Sequence, residues 1–387
     1  MQRITIIGSG LAGLSAAITA AEGGAAVQLL EAREKLGGRA RSTDGPYKAN
    51  LGPHVVYKDG STWAWLRERN LLPPSKSAPL GGIRIRWEGA IRRTPPLGAI
   101  PTVLRLRGRD APVDRSFEEW VASHADGRTA AMLSAAAGVY TFHHDPGELS
   151  AAFVWPRTVR ALLNAPPPVR YIVGGWGALV NTLAEHARRL GVEIKLGHRV
   201  EGLPEPPVIV ATELEDARSL LGDASLEWKS GNTVCLDVGL RSRRGDPFVV
   251  SDLDEAGWIE RFTAPDPSLA PKGEELIQAQ MPIRDGESVE EATRRLERLV
   301  DLALPERDTR ETWRRRQVMR GRTGALDLPG QTWRDRPAID RGDGVFLAGD
   351  MVAAPGLLSE VSCASGIQAA CGALELARGE AGLRSAA

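Results

Sequence analysis

The hydrophobic pattern near the start of the chain changes from a continuous run to a helical repeat and back. Ile4 to Ile7 form an apolar, mostly β-branched run, which is typical of a buried parallel strand. Apolar residues then recur at helical spacing through an alanine-rich segment that stops at Gly23-Gly24. Residues 26–30 form a second apolar run that ends at Glu31. The pattern therefore predicts a complete βαβ unit.

The pattern in the middle of the chain indicates a second domain of strands and helices. Residues 82–87 alternate between apolar and basic positions, and Glu88-Gly89 can turn the chain into residues 90–93, so this segment is predicted to be a β-hairpin. A core strand is predicted at 233–240, and helices are predicted at 117–121, 130–137, 179–187 and 289–304.

The length of the chain also requires more than one domain. It has 387 residues, whereas single cores stop growing at roughly 250 to 300 residues. With 42% hydrophobic and 25% charged residues, the composition is that of a soluble globular protein. No uninterrupted apolar run reaches the roughly 18 residues of a transmembrane helix, so none is predicted.

The charge balance and the cysteines exclude several classes of function. Lys plus Arg and Asp plus Glu each number 49, so no net field favours a nucleic-acid partner. The most basic stretch, 310–322, is interpreted as a solvated face with partners such as Glu306 and Glu311. Three cysteines without a CxxC pair indicate neither a disulfide framework nor a zinc site, and they favour a cytoplasmic location.

A glycine-rich turn joins the first predicted strand to the first helix and indicates a dinucleotide site. Gly8 permits a tight turn, Gly10 lets the backbone approach a pyrophosphate, and Gly13 allows close packing of helix on strand. The free N–H groups of the helix N-terminus then face the anion. Glu31 can accept hydrogen bonds from ribose hydroxyls and would repel a 2′-phosphate, which disfavours NADP. This motif leaves NAD and FAD open. The residues predicted to contact the nucleotide are Gly8, Gly10, Leu11, Ala12, Gly13, Glu31 and Ala32.

The segment after Glu31 separates these two cofactors. It carries Gly37-Gly38-Arg39 and resembles the signature of the flavin amine oxidase and phytoene desaturase superfamily. The resemblance implies that Gly38 brings backbone close to the FAD diphosphate and that Arg39 neutralises it, reinforced by Arg41. FAD, held noncovalently, is the cofactor that the resemblance implies.

Further segments match the same family along the whole chain. Residues 50–54 are similar to the segment that passes the isoalloxazine ring, and Gly344 to Asp350 resemble the strand whose Asp binds the ribityl or phosphate region. The helix after residue 358 is expected to point its N-terminus at the pyrimidine edge of the ring. The additional cofactor-binding residues implied by the resemblance are Gly52, Pro53, Val200, Ala211, Thr212, Gly349, Asp350, Gly356, Leu357 and Leu358.

The resemblance implies an α/β fold in which the cofactor domain is assembled from discontinuous segments. We expect a Rossmann-type FAD/NAD(P)-binding domain and a second α+β substrate domain built on a mixed sheet plus helices. The predicted boundaries are 1–75, 168–215 and 325–387 for the FAD-binding domain, and 76–167 and 216–324 for the substrate domain. Pro73-Pro74 and Pro166 to Pro168 mark two of the crossings.

The resemblance also implies an activity. We expect an FAD-dependent oxidoreductase, a dehydrogenase or oxidase, that transfers a hydride from a largely apolar or planar organic substrate to flavin N5, as a desaturase does. An amine oxidase, a protoporphyrinogen oxidase and a redox-silent flavin-binding assembly protein are the alternatives. The electron acceptor, dioxygen or a quinone, and peripheral membrane contact are left open.

His54 is the one candidate for side-chain chemistry. The resemblance places it beside the flavin, where an imidazole could orient substrate or move a proton, although a packing or hydrogen-bonding role is favoured. No metal site is expected, because none of the six histidines lies in a HExxH or similar pattern.

Overall fold

The computed structural model describes residues 3–94, 99–163 and 168–386. Of the proline crossings, Pro166 and Pro167 lie outside the described residues. In chain order, the strands are β1 (Arg3–Ile7), β2 (Ala26–Leu30), β3 (Val56–Tyr57), β4 (Ser75–Ser77), β5 (Ile83–Trp87), β6 (Ala90–Arg92), β7 (Val169–Ile172), β8 (Glu193–Lys195), β9 (Val208–Val210), β10 (Ser230–Arg241), β11 (Val249–Asp252), β12 (Trp258–Arg261), β13 (Glu274–Pro282), β14 (Glu311–Ala325) and β15 (Val345–Leu347).

The helices connect and cover these strands. They are α1 (Leu11–Glu22), α2 (Ser61–Glu68), α3 (Ala99–Leu106), α4 (Phe117–Ala122), α5 (Gly127–Ala136), α6 (Gly138–Thr141), α7 (Ala151–Leu163), α8 (Trp176–Arg189), α9 (Leu214–Leu221), α10 (Val289–Ala303), α11 (Arg307–Arg310) and α12 (Ser359–Ala386), with short 3-10 turns at Gly38–Ala40, Pro146–Glu148 and Pro267–Leu269.

The first βαβ unit belongs to a parallel sheet of five strands in the order β15-β9-β1-β2-β8. Alternate residues of its strands face two different cores. Ile6 on one face packs with α1, α8 and α12, whereas Ile7 and Val210 on the other pack against α9. Both faces are covered by helices, so β9 and β15 are entirely apolar, as in other doubly wound folds, whereas the edge strand β8 carries Glu193 and Lys195. This confirms the predicted Rossmann-type architecture.

A second, mixed sheet has seven strands in the order β14-β10-β13-β12-β11-β5-β6. Its β5–β6 hairpin, its core strand β10 and the helix α10 that covers one face occur where the sequence pattern predicts them. The helices α3, α4, α5 and α7 form a separate core that includes Phe117 and Trp155. The predicted α/β class with a second mixed sheet and helices is confirmed.

The basic stretch 310–322 differs from its interpretation as a solvated face. It contributes most of β14, which pairs along β10 in antiparallel register. Strand geometry sends alternate side chains to opposite faces. Arg314 and Arg316 are exposed, while Arg315 turns inward and makes an ion pair with the buried Asp237. The alternate residues on the inward face of β14 are therefore partly buried, and the others are solvated as predicted.

Two smaller features complete the fold. A three-stranded sheet, β3-β7-β4, lies between the larger ones, and Tyr171 on its β7 donates a hydrogen bond to Glu260 on β12. Among the helices of the described ranges, none combines the length and the apolar character needed to cross a lipid bilayer.

Candidate cofactor site

The glycine turn between β1 and α1 has two glycines that the fold itself requires. A Cβ added at Gly13 would lie 1.8 Å from the carbonyl oxygen of Gly8, and one added at Gly8 would lie 2.5 Å from the carbonyl oxygen of Ala211. Gly8 also has a φ of +100°, which L side chains rarely adopt. Because these glycines lack side chains, the turn can pack closely against the end of β9, where Ala211 and Thr212 lie.

Gly10 is different, because the space beside it is open. A Cβ added there would meet no atom within 4 Å. Gly10 is the N-cap residue of α1 and offers no side chain to its free N–H groups. Leu11 and Ala12 form the first turn of this helix. The open side of Gly10 and the unsatisfied helix N-terminus together suit an anionic diphosphate.

Glu31 lies at the end of β2 and braces the glycine turn. Its side chain is buried, and one carboxylate oxygen accepts hydrogen bonds from the backbone N–H and the hydroxyl of Ser9. The other oxygen accepts from Arg33 N at 2.9 Å. Carboxylate oxygens keep further lone pairs for ribose hydroxyls. The role of Ser9 was missed by the sequence interpretation.

The segment that leads to Val200 runs beside the end of β2. The backbone N–H of His198 donates to the carbonyl oxygen of Glu31 at 2.8 Å, and that of Gly197 donates to Arg33 at 3.0 Å. Val200 itself packs in the core on the α9 side of the sheet. This places its backbone, and that of Ala32, near the residue expected to bind ribose, which is where the resemblance locates the adenine end.

The second glycine pair packs directly on the first turn. The position of a Cβ at Gly38 would be 3.3 Å from Gly10 Cα, and Gly37 N donates to Ser9 O at 2.9 Å. Arg41 donates from Nε to Gly38 O at 2.9 Å. Burial and the positive charge of Arg33 lower the pKa of Arg41. The predicted diphosphate residues therefore lie side by side.

Arg39 joins segments that are 311 residues apart in the chain. Its guanidinium binds the Asp350 carboxylate through two hydrogen bonds of 2.8 and 2.7 Å, and its Nε lies 3.1 Å from Glu213. Burial alone would lower the pKa of Arg39, but the charges of Asp350 and Glu213 raise it. Glu213 was not predicted, although it directly follows the Ala-Thr turn.

The start of α12 meets the same turn from the other side. Gly366 packs on α1, because a Cβ added to it would lie 2.2 Å from the carbonyl oxygen of Ala12. Ser365 accepts a hydrogen bond from Gly349 N at 2.9 Å, which fixes the Gly349-Asp350 turn. The chain enters α12 through Gly356, Leu357 and Leu358, and Leu357 N donates to Glu360 at 3.0 Å.

His54 contacts the backbone of the diphosphate segment. Its Nε2 lies 3.0 Å from Arg39 O, and its ring centroid is 4.9 Å from that of Trp176. Burial lowers the pKa of His54 from 6.5 to about 4, so the imidazole is neutral at physiological pH and Nε2–H donates to Arg39. Gly52, with a φ of +107°, lets the chain turn just before Pro53 and His54. A hydrogen-bonding role accounts for this geometry.

Several polar side chains near these groups are partly buried and retain accessible surface. Burial shifts the pKa values of Arg39, His54 and Tyr57, yet each of the three side chains retains accessible surface. Arg157, which the sequence interpretation missed, has the same combination.

The residues present fit FAD. The open side of Gly10 and the start of α1 suit a diphosphate, Glu31 suits a ribose, and Arg39, paired with Asp350 and Glu213, brings a guanidinium to the segment that packs on this turn. A parallel nucleotide-binding sheet whose opening turn packs against the Gly37-Gly38 segment, with Arg39 bound to Asp350, defines a Rossmann-type flavin-binding protein.

Comparison with known proteins agrees with this class. Residues 6–69 match the model of the NAD(P)-binding Rossmann-like domain, and residues 235–374 match that of the flavin containing amine oxidoreductases. These matches support an FAD-dependent oxidoreductase of the flavin amine oxidase and phytoene desaturase-like superfamily, with FAD as its cofactor. Both predictions are confirmed.

Individual proteins resemble the chain over different extents. A 4,4′-diapolycopene oxygenase from Methylomonas sp is 45% identical over 56 residues, which are 14% of this chain and 11% of that protein. The fold of an oxidoreductase from Methanosarcina mazei matches with a TM-score of 0.78 at 14% identity, covering 95% of this chain and 99% of that one. Cyclohexylamine oxidase from Brevibacterium oxydans matches with a TM-score of 0.73 at 15% identity, covering 97% and 99%. At such identities the two structures show the fold alone.

Proposed function

We propose that this protein is an FAD-dependent oxidoreductase that removes a hydride from an organic substrate. The observation that carries the proposal is the convergence of the Gly8–Gly13 turn, Arg39 and the Gly349-Asp350 turn at one edge of the parallel sheet. Bound flavin supplies the hydride-accepting chemistry, so the protein needs to provide position, electrostatics and protection from water.

Different residues of the chain would hold different parts of the cofactor. Glu31 and the α1 N-terminus would hold the nucleotide end, and Arg39 would compensate the diphosphate charge. The Asn50–His54 segment would lie along the ring. It is held in place because Asn50 O accepts hydrogen bonds from Gln278 at 2.9 Å and Arg315 at 2.6 Å, both on the second sheet. The second sheet would thus close the ring end of the site against water.

The type of substrate is a finer question. Similarity to a diapolycopene oxygenase supports a desaturase-like reaction, but it covers only 56 residues. Amine oxidase and protoporphyrinogen oxidase activities are the alternatives within the superfamily. The tryptophans Trp65, Trp155 and Trp176 are buried in the cores and do not favour an aromatic-lined substrate cavity.

Two properties of the proposed enzyme concern its cofactor and its location. We propose noncovalent FAD, since Cys363 is buried in α12 with its carbonyl oxygen toward α1, and burial raises the pKa of its thiol to about 11. Such a thiol is a poor nucleophile. We also propose a cytoplasmic location, in line with the cysteine content, and either dioxygen or a quinone as electron acceptor.

Anaerobic photoreduction of the purified protein tests the proposal. We expect FAD to be released on denaturation, and we expect the bound flavin to be bleached by light and restored by dioxygen or a quinone. A screen of polyenes, amines and porphyrinogens would then assign the reaction. A protein that binds flavin but cannot be reduced, either by light or by any substrate, would instead be an assembly module; a colourless protein would refute the cofactor itself.

A further inference from the structure

Arg157 on α7 is a cation in the interior without an anionic partner. Within the part of the chain that the structure describes, its guanidinium bonds only to carbonyl oxygens, those of Phe153 and Gly356, the latter at 3.0 Å. Its Nε is buried and has no hydrogen-bond partner. The guanidinium also lies over the ring of Phe153, 3.9 Å from the centroid. Burying a charge in this way is unfavourable unless something compensates it.

Neighbouring arginines in similar surroundings are fully paired. Arg160, one turn further along α7, binds both Asp59 and Glu360. Arg336 binds the two oxygens of Asp327 at 2.9 and 2.8 Å. Burial, together with the nearby charge of Arg336, lowers the pKa of Arg157 to about 10. The absence of a carboxylate beside Arg157 is therefore specific to this position among these three.

The position of Arg157 relates it to the ring end of the cofactor site. Gly356, whose carbonyl oxygen it contacts, begins the turn into α12. The hydroxyl pair of Tyr140 and Thr158 lies close enough for the charge of Arg157 to act on Tyr140. The hydrogen bond from Arg157 to Gly356 is solvent-accessible, so the terminal nitrogens of Arg157 can be reached by a small molecule, whereas Nε cannot.

We propose that Arg157 binds a carboxylate group of the substrate, so that the enzyme acts on an organic acid rather than on a purely apolar molecule. The inference rests on the proposed function and narrows it. The remaining N–H groups of the two terminal nitrogens can form a planar fork that matches the two oxygens of a carboxylate. The substrate anion would be the directly bonded partner that Asp327 and Glu360, whose charges act on Arg157 from further away, do not provide.

Binding of simple acids to the FAD-loaded protein tests this proposal without knowledge of the true substrate. A series of acetate, benzoate and 4-phenylbutyrate is titrated against the matching amides while the flavin absorbance is followed. We expect at least one carboxylate to bind about tenfold or more tighter than its amide, as a charge-assisted hydrogen bond requires. Arg157→Met should abolish this preference, and Arg157→Lys should retain part of it.

Arg160→Met serves as the matched control. Its guanidinium is already satisfied by Asp59 and Glu360, so its removal should lower the thermal midpoint but leave the carboxylate preference intact. The proposal is overturned if no acid in the series is preferred over its amide, or if the preference survives in Arg157→Met. It is equally overturned if Arg157→Met weakens sulfite addition to the flavin and nothing else, since the cation would then serve the ring.

These outcomes are separable from those of the proposed function. Flavin content and anaerobic photoreduction of the wild-type protein test the oxidoreductase alone. If both are normal and no acid is preferred, only the assignment of Arg157 fails.

Discussion

Single glycines in the cofactor turn have separable roles in folding and in binding. Gly13 has no room for a Cβ, whereas Gly10 has free space beside it and an ordinary φ of −66°. The sequence motif assigns both to one function. The structure shows that the first packs helix on strand and that the second leaves an open face.

Gly10→Ala should therefore reduce FAD binding while leaving the apoprotein folded. We expect the free energy of unfolding of the apoprotein to change by less than about 1 kcal/mol, because the added methyl group contacts nothing. FAD affinity should fall by about tenfold or more, since the methyl group lies where the pyrophosphate approaches. Calorimetric titration of the apoprotein with FAD measures the affinity.

Two comparisons control this experiment. Gly13→Ala should destabilise the apoprotein itself, because its Cβ collides with Gly8 O at 1.8 Å. Gly127→Ala, at an open position in α5, should alter neither property. Equal destabilisation by the changes at positions 10 and 13 would contradict the distinction.

His54 makes the stability of the protein depend on acidity. Burial holds the pKa of His54 in the folded chain near 4, below its usual 6.5, so the unfolded chain binds the extra proton first. The resulting stability is present above about pH 6.5 and is lost as the pH falls toward 4, by up to about 3 kcal/mol. Urea unfolding between pH 4.5 and 7.5 should show this slope, and His54→Gln should flatten it. An unchanged slope in the variant would show that His54 titrates normally.

At the scale of elements, hydrophobic periodicity predicted the helices and strands that have one buried face along their whole length. The first βαβ unit, the β5–β6 hairpin and α10 follow from the pattern because each has a single buried face. Strand β14 was missed. Its arginines at alternate positions mimic a charged surface, and the partner that draws Arg315 inward, Asp237, is 78 residues away in the chain.

The pair of Arg315 and Asp237 links β14 to β10 and to the Asn50 segment. Burial raises the pKa of Asp237, and the charge of Arg315 opposes this effect. Arg315→Leu should cost about 3 to 5 kcal/mol of unfolding free energy, because it leaves a buried carboxylate without its cation. It should also weaken FAD binding, since Asn50 O loses a donor at 2.6 Å.

A double-mutant cycle separates these effects. Adding Asp237→Asn to Arg315→Leu should recover much of the stability but not the FAD affinity, as measured by chemical unfolding and by titration with FAD. Losses that simply add would mean that the two side chains do not interact.

At the scale of the whole molecule, the sequence identified the cofactor site better than the substrate site. Cofactor residues form short motifs with fixed spacing, so Gly38, Arg39 and Asp350 could be named before the fold was known, and the structure brings Arg39 and Asp350 within 2.8 Å. Their exact roles, like those of His54 and the proposed domain boundaries, stay predictions. Arg157, Glu213 and Gln278 lie outside any motif. Their contacts with distant segments, which only the folded structure shows, place them near the site.

The two chain segments that form the cofactor site, the Gly8–Gly13 turn and the β15–α12 segment, are synthesised at different times. The turn at Gly8–Gly13 and its strands leave the ribosome early, but β15 and the packing of Gly366 on α1 must await the last part of the chain. Domains tend to fold in the order of synthesis. Until then β9 has an unpaired edge and α1 an uncovered face of small residues. A chain that ends before β15 should therefore expose this edge and hold FAD weakly.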